Sequence, residues 1–364
     1  MRVFIRSALL VSLLALTVPG AAQRLTVLTH DSFALPKELV DDFTARTGIA
    51  VTFLQGGDAG EVVNRAVLTR ARPLADVLFG VDESLLQRVR TEGIFEPYLS
   101  PALARVDPAF RFDPSGLVTP IDVGYVVPNV DVGWFAANDL PLPSDLADLA
   151  AAPYRGLTVV LNPASSSPGL AFLAATVARF GDPQAGIVGT AGGDGDWLDF
   201  WADLAKNDVA VADGWTDAYY TRFTRYGGDR PIVVSYATSP AAEVIFADAP
   251  LSAAPTANLT CAGCAYRQVE AAGILAGTKQ RAAAEAFIDF LLSPAVQSAI
   301  PLAMFVAPVV ADAPEPPEFL AYGRVAPGAV AAPLAPGVLE ANQARWLKQW
   351  TAVVLQGRLP SSVR

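Results

Sequence analysis

Two rhythms of apolar and polar positions alternate along the chain. Leu25-Thr26-Val27-Leu28-Thr29 reads as a short strand. After a loop come a helical stretch over 36–47 and a strand over 50–53. A second helix opens near residue 58, where Asp58-Ala59-Gly60-Glu61 has capping-box spacing with Asp in place of Ser or Thr. The apolar run Ala75-Asp76-Val77-Leu78-Phe79 suits a buried strand. Strands alternating with helices at this spacing predict parallel βαβ units.

The pattern then restarts. Gly124 to Pro128 predicts an extended crossing segment, 157–161 a strand, and 170–180 a helix led in by Ser165-Ser166-Ser167-Pro168-Gly169. Residues 197–206 predict an amphipathic helix, 232–236 a strand, and Ser239-Pro240 the start of another helix. A strand over 266–275 returns to the first unit. Helices follow over 280–292 and 294–300, then a Pro- and Ala-rich stretch, Ala311 to Pro336, expected to be mostly coil. A last helix carries Trp346 and Trp350. The expected architecture is α/β with two lobes, the second inserted into the first: 23–125 with 266–364, and 126–265. Two crossing segments act as the hinge. Ligands in such folds sit between the lobes, at the carboxyl ends of strands.

The first 22 residues predict a cleaved signal peptide. Arg2 and Arg6 precede an apolar run, Ala8 to Val18, and Pro19-Gly20-Ala21-Ala22 ends in small residues. The run is too short to span a bilayer comfortably. About 340 remaining residues exceed one compact core. Apolar residues make up 52% and charged residues 17% of the chain, which argues against disorder. Loss of two arginines and no acid takes the formal charge from −10 to −12, so a nucleic-acid partner is not expected. Cys261 and Cys264 are the two cysteines. In an oxidising compartment a local disulfide is the default. A zinc half-site and a redox centre are the rivals, but His30 is the sole histidine, which leaves zinc short of ligands. No metal and no cofactor is expected.

Nine short blocks carry a resemblance. They are Thr29-His30-Asp31-Ser32-Phe33, Ala75-Asp76-Val77 with Gly80-Val81-Asp82, and Asp122-Val123-Gly124-Tyr125; then Ser166-Ser167-Pro168-Gly169, Gly214-Trp215-Thr216-Asp217-Ala218-Tyr219 and Ser235-Tyr236-Ala237-Thr238-Ser239-Pro240; and finally Gln268-Val269-Glu270, Ser293-Pro294-Ala295 and Ala299-Ile300-Pro301. In order and spacing they resemble the periplasmic thiamine-binding proteins of ABC importers. The resemblance implies a type II periplasmic-binding-protein fold and a thiamine-type ligand. It also implies a periplasmic location, an inner-membrane ABC permease as partner, and a binding protein acting as a monomer rather than an enzyme.

Carried over by position, Trp215 and Tyr236 match aromatic ligand contacts, and Ser166 matches a polar one. Phe305 falls where the family has a Trp, and His30 where a Tyr is common. Ala242 falls where the family has a Tyr, and no early Trp occurs near Pro36. A less aromatic pocket is the expectation. Asp31 is the leading counter-charge for a cationic ligand, with Asp58, Asp82 and Asp122 as further candidates. Tyr219 belongs to the same motif as Trp215. The helix starts at Ser167-Pro168 and Ser239-Pro240 are good caps, and Ser165, Ser166 and Ser167 form the cradle expected for a thiamine phosphate. A flat cation gains from ring faces, which is why Trp215, Tyr236 and Phe305 fit thiamine.

Three rivals stand beside this reading. Tyr219-Tyr220 supplies phenolates for a ferric-iron binder of the same fold. A sugar, polyamine or other small solute is a second alternative ligand for the same architecture. A thiaminase-like enzyme needs a nucleophilic Cys in the first lobe, and none is present there.

Overall fold

The computed structural model describes residues 23–191 and 195–364. The expected signal peptide, residues 1–22, lies outside the described residues. Strands β1 (Gln23–Thr29), β2 (Ile49–Gln55), β3 (Val77–Val81), β4 (Phe95–Glu96), β5 (Thr119–Asp131) and β6 (Thr158–Leu161) come first. Then follow β7 (Ala210–Ala212), β8 (Ile232–Tyr236), β9 (Thr256–Asn258), β10 (Tyr266–Leu275) and β11 (Ala307–Pro308). All join one continuous path in the order β2-β1-β3-β10-β5-β8-β6-β7, with β4, β9 and β11 on its flanks.

Two parallel wings meet at an antiparallel centre. β1 runs parallel to β2 and β3, and β6 runs parallel to β7 and β8. Between them β5 and β10 pair antiparallel, with Glu270 directly opposite Asp122. The 13-residue β5 serves both wings. Its first half pairs with β10, and its second half pairs with β8 and β9. These two strands are the crossing segments expected from Gly124 to Pro128 and from 266–275.

Period-two alternation decides how the first wing packs. Leu25, Val27, Val77 and Phe79 point into one core with Phe43 and Phe287. Leu28 and Leu78 point to the opposite face, against Val62, Val63 and Val89. The second wing has its own core of Val159, Phe172, Trp197, Trp201 and Val233. Chain continuity placed the closing segment of 266–364 with the first unit. Its last helix, Pro336–Trp350, does otherwise. Trp346 and Trp350 are fully buried in the second core, and the rings of Trp201 and Trp350 meet edge to face at 5.6 Å. Asp182 anchors the same helix by accepting from Trp346 Nε1 at 2.6 Å. The stretch expected to be coil also holds a short helix, Pro317–Tyr322.

The wings touch closely. At Gly60, near the start of the helix Ala59–Leu68, an added Cβ would lie 2.4 Å from the Ser165 carbonyl oxygen. Only glycine lets that helix of one wing meet the turn of the other.

Candidate functional site

A cavity of about 690 Å³ opens where the wings face each other. Its wall is aromatic. Gly214 caps the short helix Trp215–Asp217, and the chain continues as a π-turn over Ala218–Arg222. This brings Trp215 and Tyr219 into a near-parallel stack, with centroids 5.0 Å apart and 17° between planes. Tyr220 meets Trp215 edge-on at 5.5 Å, and Tyr236 lies tilted at 6.5 Å. The indole is fixed from behind: Nε1 donates to Ser235 Oγ at 2.8 Å, and that hydroxyl is 2.9 Å from Ser239 Oγ. Tyr236 is fixed in turn, its hydroxyl donating to Gln268 Oε1 at 2.9 Å. Its ring presses on the backbone of Gly124, where an added Cβ would lie 2.7 Å away.

Tyr219 donates to the buried Glu243 at 2.5 Å, and Arg225 pairs with the other Glu243 oxygen at 3.0 Å. Burial first, then the Glu243 charge, pushes the Tyr219 phenol well above its ordinary range. Phe305 enters from the far side. It caps the helix Pro294–Met304 in the left-handed region, with φ 58°, and its carbonyl accepts from the Thr238 hydroxyl. Phe246 meets it edge-on at 5.2 Å.

The opposite wall is ionisable. His30 follows β1, with Nδ1 3.1 Å from Ser32 Oγ and Nε2 3.6 Å from Glu270 Oε1. Burial works against a charged imidazole, but Glu270, then Asp58 and Asp31, outweigh it and raise the His30 pKa. Asp31 is exposed beside it on the cavity wall. Asp58 links the wings. One oxygen accepts from Ala59 N at 2.6 Å, capping its own helix. The other accepts from Trp215 N at 3.1 Å across the opening. The capping box expected at Asp58 is therefore a simpler cap whose second oxygen is taken by Trp215 N. Burial raises the Asp58 pKa, opposed by His30 and by the two backbone donors.

Six of the residues singled out from the sequence line the cavity: Trp215, Tyr236, Phe305, Tyr219, His30 and Asp31. Ser166, Ser167 and Asp82 do not. Ser166 is a buried cap that accepts from Gly169 N, and it lies close enough to the Asp58 carboxylate to help hold its pKa down. The helix start expected to cradle a phosphate thus already faces a protein carboxylate. Ser167 accepts from Gln268 Nε2 at 2.8 Å. Asp82 closes its own turn by accepting from Ser84 N and Leu85 N, and it also accepts from Gln268. It borders a smaller cavity of about 240 Å³. Cys261 and Cys264 are disulfide-bonded, and neither lines the site.

Sequence reasoning missed Glu243, Arg225, Tyr226, Phe246 and Glu270 as cavity residues. Ala242 leaves the gap expected there, yet Tyr220, Tyr226 and Phe246 bring further rings, so the pocket is not poor in aromatics. Among the described residues, no group of three or more His, Cys, Asp or Glu side chains is placed to hold a metal ion.

The model of the family described as bacterial extracellular solute-binding protein matches residues 72–328. The chain belongs to this family. This solute-binding protein is 30% identical to the thiamine-binding periplasmic protein of Escherichia coli K12, over 94% of this chain and 97% of that one. Among solved structures, a periplasmic thiamin binding protein superposes with a TM-score of 0.76 at 27% identity, covering 91% and 96% of the two chains. A ferric binding protein from Campylobacter jejuni superposes at 0.69 with 17% identity, covering 90% and 99%, which shows the fold alone. The fold of this solute-binding protein is that of the type II periplasmic binding proteins.

Proposed function

We propose that this solute-binding protein captures thiamine in the periplasm and delivers it to an inner-membrane ABC permease. The observation that carries the reading is the pairing of two unlike walls around one cavity. Trp215, Tyr236 and Phe305 offer ring faces to a flat heterocycle, and His30, Asp31 and Glu270 line the same cavity. A thiazolium leaving water gains cation–π energy from the rings, and it needs a carboxylate within reach. Asp58 then ties capture to closure, because the backbone of the stacked Trp215 is its partner from the other wing. The names of the relatives support thiamine over iron. Iron coordination through Tyr219 also has to displace its hydrogen bond to Glu243.

Tryptophan fluorescence titration tests the proposal, with thiamine, its phosphates, a hexose and ferric citrate as ligands. The expected result is quenching by thiamine at micromolar concentration or below, about −8 kcal/mol or stronger. Thiamine recovered unchanged after incubation is expected of capture without turnover. A protein that ignores thiamine and responds to another solute refutes the assignment.

A further inference from the structure

Asp122 and Glu270 face each other in register on the two crossing strands. Opposed side chains in an antiparallel pair lie about 5 Å apart at Cβ. Asp122 is completely buried, and neither of its carboxylate oxygens has a hydrogen-bond donor. Glu270 lies in front of it and lines the ligand cavity. Two buried carboxylates side by side, one of them with no donor at all, are costly unless a proton lies between them. Given one proton, the orphaned oxygens of Asp122 find their partner in Glu270.

We propose that Asp122 and Glu270 share a single proton in the free protein, and that entry of an organic cation into the cavity expels it. This rests on the reading of the ligand as a thiazolium-type cation. The balance is simple. The pair with its proton carries one negative charge. The cation enters, the O–H bond breaks, the proton leaves to solvent through the cavity, and the pair is left with two negative charges beside the bound cation. Burial, and then the Glu270 charge, place the Asp122 carboxyl well above the ordinary carboxylate range, in keeping with this. His30 and Asp31 approach after β1, Asp58 from the start of the helix Ala59–Leu68, Asp82 after β3, and Tyr236 from the end of β8. β11, which pairs with the strand of Asp122, brings Ala307 and Pro308 and no titratable group. His30 is the one cation in this set, and its unpartnered Nε2 faces Glu270 rather than Asp122.

Two measurements test the pair. Infrared spectra of free Glu83→Gln protein at neutral pH, in which the raised carboxyl of Glu83 is removed, should show a protonated-carboxyl C=O band. It should vanish in Asp122→Asn and on saturation with thiamine. Calorimetry in buffers of different ionisation enthalpy should count up to one proton released per thiamine. Affinity should then rise by as much as about tenfold per pH unit in the window where the pair titrates. The calorimetry is repeated in His30→Gln, which removes the imidazole as a proton source. Release should persist there, and it should be lost when Asp122→Asn is added. Absence of the carboxyl band from free Glu83→Gln protein overturns the proposal. Persistence of the band in saturating thiamine overturns it too, as does thiamine binding with no proton released. A protein that shows the band but fails to bind thiamine refutes the ligand assignment instead, and the shared proton stands.

Discussion

The two walls of the cavity were assembled in different ways. The ring wall is nearly all local: Trp215, Tyr219, Tyr220, Tyr226, Tyr236 and Phe246 come from one 32-residue span, with Phe305 added from outside. The ionisable wall is gathered from distant points: His30 after β1, Asp58 at a helix start, Glu270 on β10 with Asp122 behind it on β5. Rings in one span overlap in function, so the loss of a peripheral one is softened by its neighbours. Each acid owes its position to a separate strand or helix end. The ring wall therefore sets how strongly a flat ligand is held, and the ionisable wall sets its charge and the condition under which it is held.

This contrast yields predictions of decreasing size. Trp215→Ala removes the central face, and thiamine affinity should fall by about 2–3 kcal/mol, roughly 30- to 150-fold. Fluorescence from the remaining tryptophans or calorimetry measures this. A normal affinity would show that the indole is not the ligand platform. Asp58→Ala leaves Trp215 N and Ala59 N without their acceptor, and should cost about 1–2 kcal/mol of ligand affinity. Asp58→Asn, which keeps an acceptor oxygen, should cost less. Equal losses in the two variants would mean that charge matters here, rather than the bridge.

A third test concerns an acid outside the main cavity. Burial first, and then Asp82, push Glu83 up to about 7 from its usual 4.5, against Val269 N and Arg267. The folded state thus binds a proton that the unfolded state has lost between these values. Stability should fall by about 1–2 kcal/mol as pH rises from 4.5 to 7, after allowing for partial exposure of the side chain. Thermal melts across this range should flatten in Glu83→Gln, and an unchanged slope would place the titration elsewhere. The smallest effect is expected for Tyr236→Phe. It keeps the ring, loses the bond to Gln268, and should cost about 1 kcal/mol of stability with thiamine affinity nearly unchanged.

How much of this was legible in the sequence follows from distance along the chain. Strands 232–236 and 266–275 and the helix 197–206 were read with the bounds they have, because periodicity and flanking caps are local signals. Trp215 was legible through the Gly214-to-Tyr219 motif that carries the resemblance. Asp58 was readable as a cap but not as a bridge, since its second partner lies 157 residues away. The Asp122–Glu270 pair needs a strand register, and no composition or spacing reveals one. Glu243 sits in a helix whose Ser-Pro start masks it as a routine cap region. Trp346 and Trp350 promised a buried face without saying against which core.

Phe305 has a consequence beyond its ring. A side chain in the left-handed region is held there at a cost that glycine escapes. Glycine at 305 would relieve that strain but give up the ring and its contact with Phe246, so the backbone and the ligand wall pull this one position in opposite directions.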